Sequence, residues 1–477
     1  MNSRFFTRRQ FIQGISQSTL AFLGAGYLSQ FRASALNKPT SVLVIGAGLS
    51  GLYAALILEK QGFLVTVLEG RNRVGGRVHT LDDLPGKPEA GGQGLGEKYS
   101  RFIKLANRLN APLKPRPQRE RQLLLHVNGQ SVLASDWESS PANRLAESEK
   151  TIIPPALLTH YLRPNNPLEQ NQDWTLPEYS YLDISLKDYL RQQGASPEAL
   201  RLMNVYPFSM NSIESASALW GLRNDQRAKT RSRSSIRVKE GNSRFPEKIA
   251  ASLTSPLYTQ KVVEAIYSQD TGVKVYCTDG SSFTADYAIC TLPFSVLRQI
   301  PIYPPLEAEQ KEAVEQLPYT KVTQIHLSVR EPFWEADGYP VNMWTDSFLE
   351  LVFPVKDETG KVQGLVGWAN GENADKLDAL SAREVEEQVK AQLKQMRPQT
   401  AGNVEITRVV TWGSDPFSLG AYAYFAPGQI QVFQTQMQKP WQRIHFAGEH
   451  TAIASPGMEA ALESAERVVM EILQRQR

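Results

Sequence analysis

Between Ser41 and Glu69 the chain spells out one supersecondary unit, and few folds accommodate it. Ser41-Val42-Leu43-Val44-Ile45 is a continuous apolar, β-branched run, the pattern of a strand covered on both faces. It passes directly into Gly46-Ala47-Gly48-Leu49-Ser50-Gly51, then into an Ala- and Leu-rich stretch from Leu52 to Gln61 that reads as a helix ended by Gly62. Phe63 to Leu68 is a second strand, closing on Glu69. A GxGxxG alone says little, but placed between a strand and a helix it predicts a dinucleotide-binding βαβ unit. Gly46 permits the tight turn, Gly48 lets the backbone approach a pyrophosphate at the helix N-terminus, and Gly51 lets helix and strand pack closely. Glu69, eighteen residues after Gly51, stands where a carboxylate accepts both ribose hydroxyls and repels a 2′-phosphate.

The next nine residues narrow the cofactor. Glu69-Gly70-Arg71-Asn72-Arg73-Val74-Gly75-Gly76-Arg77 resembles the extended FAD motif of the flavin-containing amine oxidases, of the monoamine oxidase and bacterial L-amino-acid oxidase type. Near the other end, Phe446-Ala447-Gly448-Glu449-His450-Thr451 and Pro456-Gly457-Met458-Glu459-Ala460-Ala461 look like the second FAD signature of that family. The resemblance implies that Arg71, Gly76, Arg77, Gly448 and Glu449 serve the pyrophosphate and flavin. It also implies that a helix beginning near Met458 points its amides at the flavin C2 carbonyl. Glu89-Ala90-Gly91-Gly92-Gln93 resembles the loop beneath the isoalloxazine, which implies that Gly92 and Gln93 bind the cofactor. Gly241 to Pro246 is similar to the segment before the strand carrying Val263, whose backbone holds adenine in relatives. The likeness covers nearly everything from residue 41 to 477, and residues 116–235 match least.

For catalysis the resemblance points to aromatics. Trp412 matches a tryptophan packed near the flavin, and Tyr424 matches one wall of an aromatic cage that orients the amine. Three positions depart from the family pattern. Gly457 replaces the second cage aromatic. Gln324 replaces the lysine that reaches flavin N5 through a water, which leaves oxygen activation without that charge. Ala423 stands where covalently flavinylated relatives carry cysteine, so non-covalent FAD is expected. The implied reaction is hydride removal from the amine-bearing carbon to flavin N5, then imine hydrolysis and peroxide formation from dioxygen. Gly94 occupies the place of the arginine that pairs a substrate carboxylate in several L-amino-acid oxidases, and no tyrosine stands near Val352-Phe353, which favours a simple amine. Against that, Gly420 to Gln429 resembles the bacterial L-amino-acid oxidases more closely, so amine and L-amino acid both stay open. A desaturase-like enzyme shares only the N-terminal motifs. A flavin-binding protein without turnover is the remaining alternative, and Gln324 is its argument.

The formal charge of +3 carries no message for nucleic acid. Arg4, Arg8, Arg9 and Arg32 lie in the first 35 residues, which hold no acid, and the rest of the chain is near −1. Thr7-Arg8-Arg9-Gln10-Phe11-Ile12, the mildly apolar stretch to Leu28 and Ala33-Ser34-Ala35 resemble a twin-arginine signal peptide over residues 1–35. That implies a periplasmic or secreted protein exported already folded; a basic tail or membrane anchor is the competing reading. No later run is long and apolar enough for a bilayer span.

Cys277 and Cys290, the two cysteines, read as buried thiols rather than a disulfide or a metal site. Five Arg and two Lys between Arg223 and Lys239 read as a solvated loop, with a gate for anions or an interaction surface as alternatives.

The fold class expected is α/β, a Rossmann-like FAD-binding domain of glutathione-reductase type interleaved with an α+β substrate domain. FAD-binding parts fall at 41–115, 236–304 and 406–477, and substrate parts at 116–235, helical and irregular, and 305–405, mixed-sheet with a helix near 382–396. Expected partners are a small amine or amino acid and dioxygen, and a homodimer is open to it.

Overall fold

The computed structural model describes residues 39–116, 122–207, 209–229 and 235–476. The N-terminal signal-like segment, including Arg4, Arg8, Arg9 and Arg32, lies outside the described residues.

Strand β1 (Ser41–Ile45), helix α1 (Leu49–Lys60) and strand β2 (Leu64–Leu68) form the expected unit, with β1 and β2 parallel and Val42 opposite Val65. They belong to a five-stranded parallel sheet in the order Ile444–Phe446, Tyr287–Cys290, β1, β2, Leu257–Tyr258. Its strands therefore come from the start, the middle and the end of the chain. The inner strands are continuous apolar runs because both of their faces are covered: Val42 to Ile45 and Ala288 to Cys290 are all buried. Helix α3 (Gly457–Gln474) packs on α1, where Ser50 Oγ lies 3.2 Å from Ser464 Oγ, and Leu52, Ala55, Leu462, Ala465 and Val469 are inaccessible.

The stretch from Phe283 to Cys290 is shared between two sheets. Ser282–Ala285 pairs antiparallel with Gly272–Cys277, and Tyr287–Cys290 enters the parallel sheet instead. Asp286 makes the break: its Oδ2 accepts from both N and Oγ of Ser41, each at 2.7 Å, and its own N–H donates to Ser41 Oγ. Cys277 and Cys290 are buried free thiols.

A second, seven-stranded sheet runs in the order Val404–Thr411, Val322–Val329, Val362–Asn370, Leu351–Lys356, Met343–Thr345, Leu124–Val127, Gln130–Leu133. Its last two strands correct the expectation that residues 116–235 are helical and irregular. They form a hairpin through Asn128-Gly129, both with positive φ (52° and 78°), the signature of a two-residue turn. The rest of that stretch is helical as expected, and ends in helix α2 (Ala218–Lys229). The helix expected near 382–396 is Ala382–Met396, opened by a capping box between Ser381 and Glu384.

Candidate active site

The glycine turn, the end of β2 and the start of α3 converge on one cavity of about 540 Å³, within the size range of cofactor sites. Gly46 has φ 103°, which an L side chain adopts only with strain. A Cβ on Gly51 would sit 2.0 Å from the Gly46 carbonyl oxygen. Gly48 is different: a Cβ there meets no protein atom within 4 Å and would project into the cavity that Gly48 lines. The space beside this backbone is thus left for a ligand at the N-terminus of α1, where amides favour anionic oxygen.

Glu69 lines the same cavity and is buried. Its Oε2 accepts the Ala47 N–H at 2.8 Å and its Oε1 the Arg71 N–H at 2.9 Å. Each oxygen keeps a lone pair for a ligand hydroxyl. Arg71 is fixed by Asp415 (Nη1 to Oδ2, 2.9 Å) and Ser418 (3.0 Å), its guanidinium 5.1 Å from the Phe417 ring centroid. Phe417 and Ser418 line the cavity too. Val263, first residue of the strand Val263–Gln269, closes the same side with Lys261, Val262 and Glu264.

On the other side Gly76, Arg77, Gly92, Trp412, Tyr422, Gly448, Glu449, Gly457 and Met458 form the wall. Arg77 Nη1 donates to the Ala421 carbonyl (2.8 Å) and to Glu449 Oε1 (3.0 Å), tying the first motif to the last. The loop Glu89–Gln93 passes below. Its Ala90 carbonyl receives two buried donors, Trp412 Nε1 at 2.7 Å and Gln324 Nε2 at 2.8 Å. Asn242 clasps the loop from outside, donating Nδ2 to the carbonyls of Gly92 (2.7 Å) and Gln93 (2.9 Å), and its N–H to Glu89 (2.7 Å). Burial raises the Glu89 carboxyl to about 7. The sequence singled out Gly241-Asn242 as a landmark but gave Asn242 no part in holding this loop.

Several expected residues stand elsewhere. Gly51 lies under the turn rather than on the cavity. Gln93 faces a small neighbouring cavity of about 100 Å³, where its Oε1 accepts from Arg116 at 3.1 Å. Gln324 is held beneath the loop by its bond to Ala90 rather than on the cavity surface. Tyr424 is not on the cavity either: it is buried, with its hydroxyl 3.1 Å from Ser215 Oγ in the chain leading into α2. The tyrosine on the cavity wall is Tyr422, preceded by Ala421, which also lines it. The sequence obscured this because Tyr422-Ala423-Tyr424 offers two equal candidates two residues apart. Burial pushes the Tyr422 phenol up to about 12, so it stays neutral. Among the described residues no cysteine or histidine lines the cavity. Among the same residues no group of His, Cys, Asp and Glu could hold a metal ion, and no helix is long and apolar enough to cross a membrane.

A strand–glycine turn–helix unit, a ribose-facing carboxylate and a helix N-terminus meeting in one cavity define a dinucleotide-binding flavoprotein. The family is settled by comparison: the chain belongs to the flavin containing amine oxidoreductases, whose pattern matches residues 49–473. It is 27% identical over 460 residues to an L-amino-acid oxidase of Siganus canaliculatus, covering 92% of this chain and 86% of that one. It is 26% identical over 470 residues to the flavin-containing amine oxidase B of Homo sapiens, covering 92% and 87%. Its fold matches that of a putrescine oxidase triple mutant with a TM-score of 0.77 at 24% identity, over 92% of this chain and 99% of that one. The protein is an oxidoreductase of the amine oxidase class and its cofactor is FAD, which the cavity fits: the open space beside Gly48 would take the pyrophosphate, and Glu69 would accept the ribose hydroxyls.

Proposed function

We propose that the protein oxidises the carbon bearing a primary amine, on a simple amine or an L-α-amino acid, to an imine that hydrolyses to a carbonyl compound and ammonia. Bound FAD would supply the hydride acceptor, with dioxygen as the final oxidant and hydrogen peroxide as its product. The observation that carries this reading is the wall formed by Trp412, Tyr422 and Gly457 in the cavity that also holds the glycine turn. Two aromatic side chains beside a glycine leave an apolar slot in which a neutral amine is oriented and water is kept out. The Trp412 indole is fixed by its bond to the Ala90 carbonyl, so it presents one face without rotation. Tyr422, rather than Tyr424, takes the role of the aromatic wall. Arg71, Arg77 and the α1 N-terminus would offset the pyrophosphate charge, and the N-terminal amides of α3, at Gly457 and Met458, would stabilise negative charge on the flavin.

Gln324 carries no charge, and among the described residues the one lysine on the cavity, Lys261, stands beside Val263. Reoxidation by dioxygen would therefore draw on no lysine at the flavin among the described residues. The cavity wall at Gly457 admits a bulkier substrate than two facing aromatics would. Export in the folded state, with FAD already loaded, belongs to the same reading and rests on Arg8-Arg9. Replacing both by lysine should leave the protein, still yellow, in the cytoplasm; unchanged export would remove this part.

The test is peroxide release by the purified yellow protein from a set of L-amino acids and their decarboxylated amines. Turnover of either series supports the reading and names the substrate class. Bound FAD with no peroxide from both contradicts it.

A further inference from the structure

Arg223, on α2, is 3% exposed. Its guanidinium carbon lies 3.9 Å from the Trp220 ring centroid and 4.5 Å from that of Trp174, so indoles cover it. Among the described residues it has no hydrogen bond and no ion pair, and its Nε is inaccessible and without a partner. The Trp220 Nε1 donor beside it is also buried and unpartnered, whereas Trp174 Nε1 donates to the Ile453 carbonyl at 3.1 Å. Burial pushes the Arg223 guanidinium well below the usual arginine range.

The fold is able to satisfy a buried guanidinium when one is structural. Arg397 is as inaccessible, and Asp337 (2.6 Å), the Pro340 carbonyl (2.8 Å) and the Tyr339 carbonyl (2.8 Å) take its donors. Leaving a buried charge and a neighbouring N–H without an acceptor is costly, and such groups persist where a ligand completes them.

The cluster backs onto the site. One turn beyond Arg223, Arg227 donates to the carbonyls of Ile453 (3.0 Å) and Ser455 (2.9 Å), and that loop runs directly into Gly457 on the cavity wall. A Cβ at Gly457 would meet only the Tyr99 hydroxyl, at 3.5 Å, so the space beside Gly457 is open. The carboxylates whose fields reach Arg223 are Glu463 and Glu449. Glu463 is occupied by the N–H groups of Ile453, Ala454 and Ser455, and Glu449 by Arg77 and the Ala423 N–H.

We infer that Arg223, with Trp220 Nε1, forms a buried receptor for a planar oxyanion, a carboxylate entering past Gly457 and carried by the substrate or free. With indoles on its faces, the guanidinium admits a ligand through its edge, where parallel N–H groups match the two oxygens of a carboxylate. The substrate-borne case rests on the amine-oxidising reading above; the receptor itself does not.

The experiment uses the holoenzyme and follows tryptophan fluorescence, because Trp174 and Trp220 report on the guanidinium between them. Acetate, an L-amino acid and its decarboxylated amine are titrated into wild type, Arg223→Gln and Arg223→Lys, with flavin content and melting temperature confirming the fold. Wild type should respond to acetate and amino acid and not to the amine, with a weaker response in Arg223→Lys, which keeps a charge but not the fork. Arg223→Gln should lose the response. A fall of about tenfold in its preference (kcat/KM) for amino acid over amine, the scale of one charged hydrogen bond, identifies the substrate as the carrier. A lost fluorescence response with unaltered preference identifies a free carboxylate. No response of wild type to either carboxylate, or an undiminished response in both variants, overturns the proposal. Since the titration needs no turnover, it stands apart from failure of the oxidase reading.

Discussion

Gly48 and Gly51 are three residues apart on one turn, yet each is glycine for its own reason, and their substitutions separate those reasons. At Gly51 any side chain strikes the Gly46 carbonyl, so Gly51→Val should cost folding stability as well as FAD. At Gly48 the added atoms enter the cofactor space, so Gly48→Val should melt near the apoprotein temperature and purify without yellow colour. A colourless, unstable Gly48 variant would contradict the distinction. Tyr422 and Tyr424 separate in the same way. Tyr422→Ala should lower kcat/KM at least about tenfold, the loss of one well-placed contact. Tyr424→Phe should leave kinetics near wild type and lose the hydroxyl's bonds to Ser215 and Asn211, about 1 kcal/mol each by chemical denaturation. The reverse pattern would restore Tyr424 as the cage residue. The glycine turn was readable from the chain because backbone sterics admit almost nothing else there. The tyrosine was not, because an alternating Tyr-Ala-Tyr run does not say which ring meets the cavity.

At the scale of elements, boundaries followed apolar runs wherever a strand stays within one sheet. They failed where it changes sheet: Phe283 to Cys290 is uniformly strand-like in composition, and only Asp286, bound to Ser41 across 245 positions of chain, divides it. Asp286→Ala strips an acceptor from the Ser41 N–H and should cost about 1–3 kcal/mol, seen as a lower melting temperature with FAD still bound. A wild-type melting curve would show that the junction is not fixed by this residue. The hairpin at Asn128-Gly129 carries a two-residue turn signal in the chain, but the surrounding Pro-rich, irregular stretch masks it. The basic run from Arg223 divided likewise. Composition suggested solvent, but Leu219, Leu222 and Gly221 on the same helix turn Arg223 and Arg227 inward.

For the molecule as a whole, the parallel sheet draws strands from three separated stretches, so the first and last motifs meet at Arg77 and Glu449 although 372 positions separate them. Buried neutral histidine marks the same packing. His450 lies 4.4 Å from the Phe294 ring, with neither ring nitrogen hydrogen-bonded, and burial lowers it from 6.5 to about 3. The folded state therefore binds its proton less readily than the unfolded chain. Between pH 6.5 and about 3 the unfolded form takes up a proton the folded form refuses, and stability falls as pH falls, by about 1.4 kcal/mol per unit. Relative to His450→Leu, wild type should lose ground steadily below pH 6.5 and not above it. Parallel pH profiles of the two would show that His450 does not titrate in this way.

The central claim is that a cavity built on Gly48, Glu69, Trp412 and Tyr422 holds FAD and lets an amine reduce it. The most direct measurement is anaerobic mixing of the yellow protein with amines and L-amino acids, followed by admission of air. The account predicts that a substrate bleaches the flavin absorbance without oxygen, and that air restores the colour with release of peroxide. A flavin that keeps its colour under every amine and amino acid would contradict it.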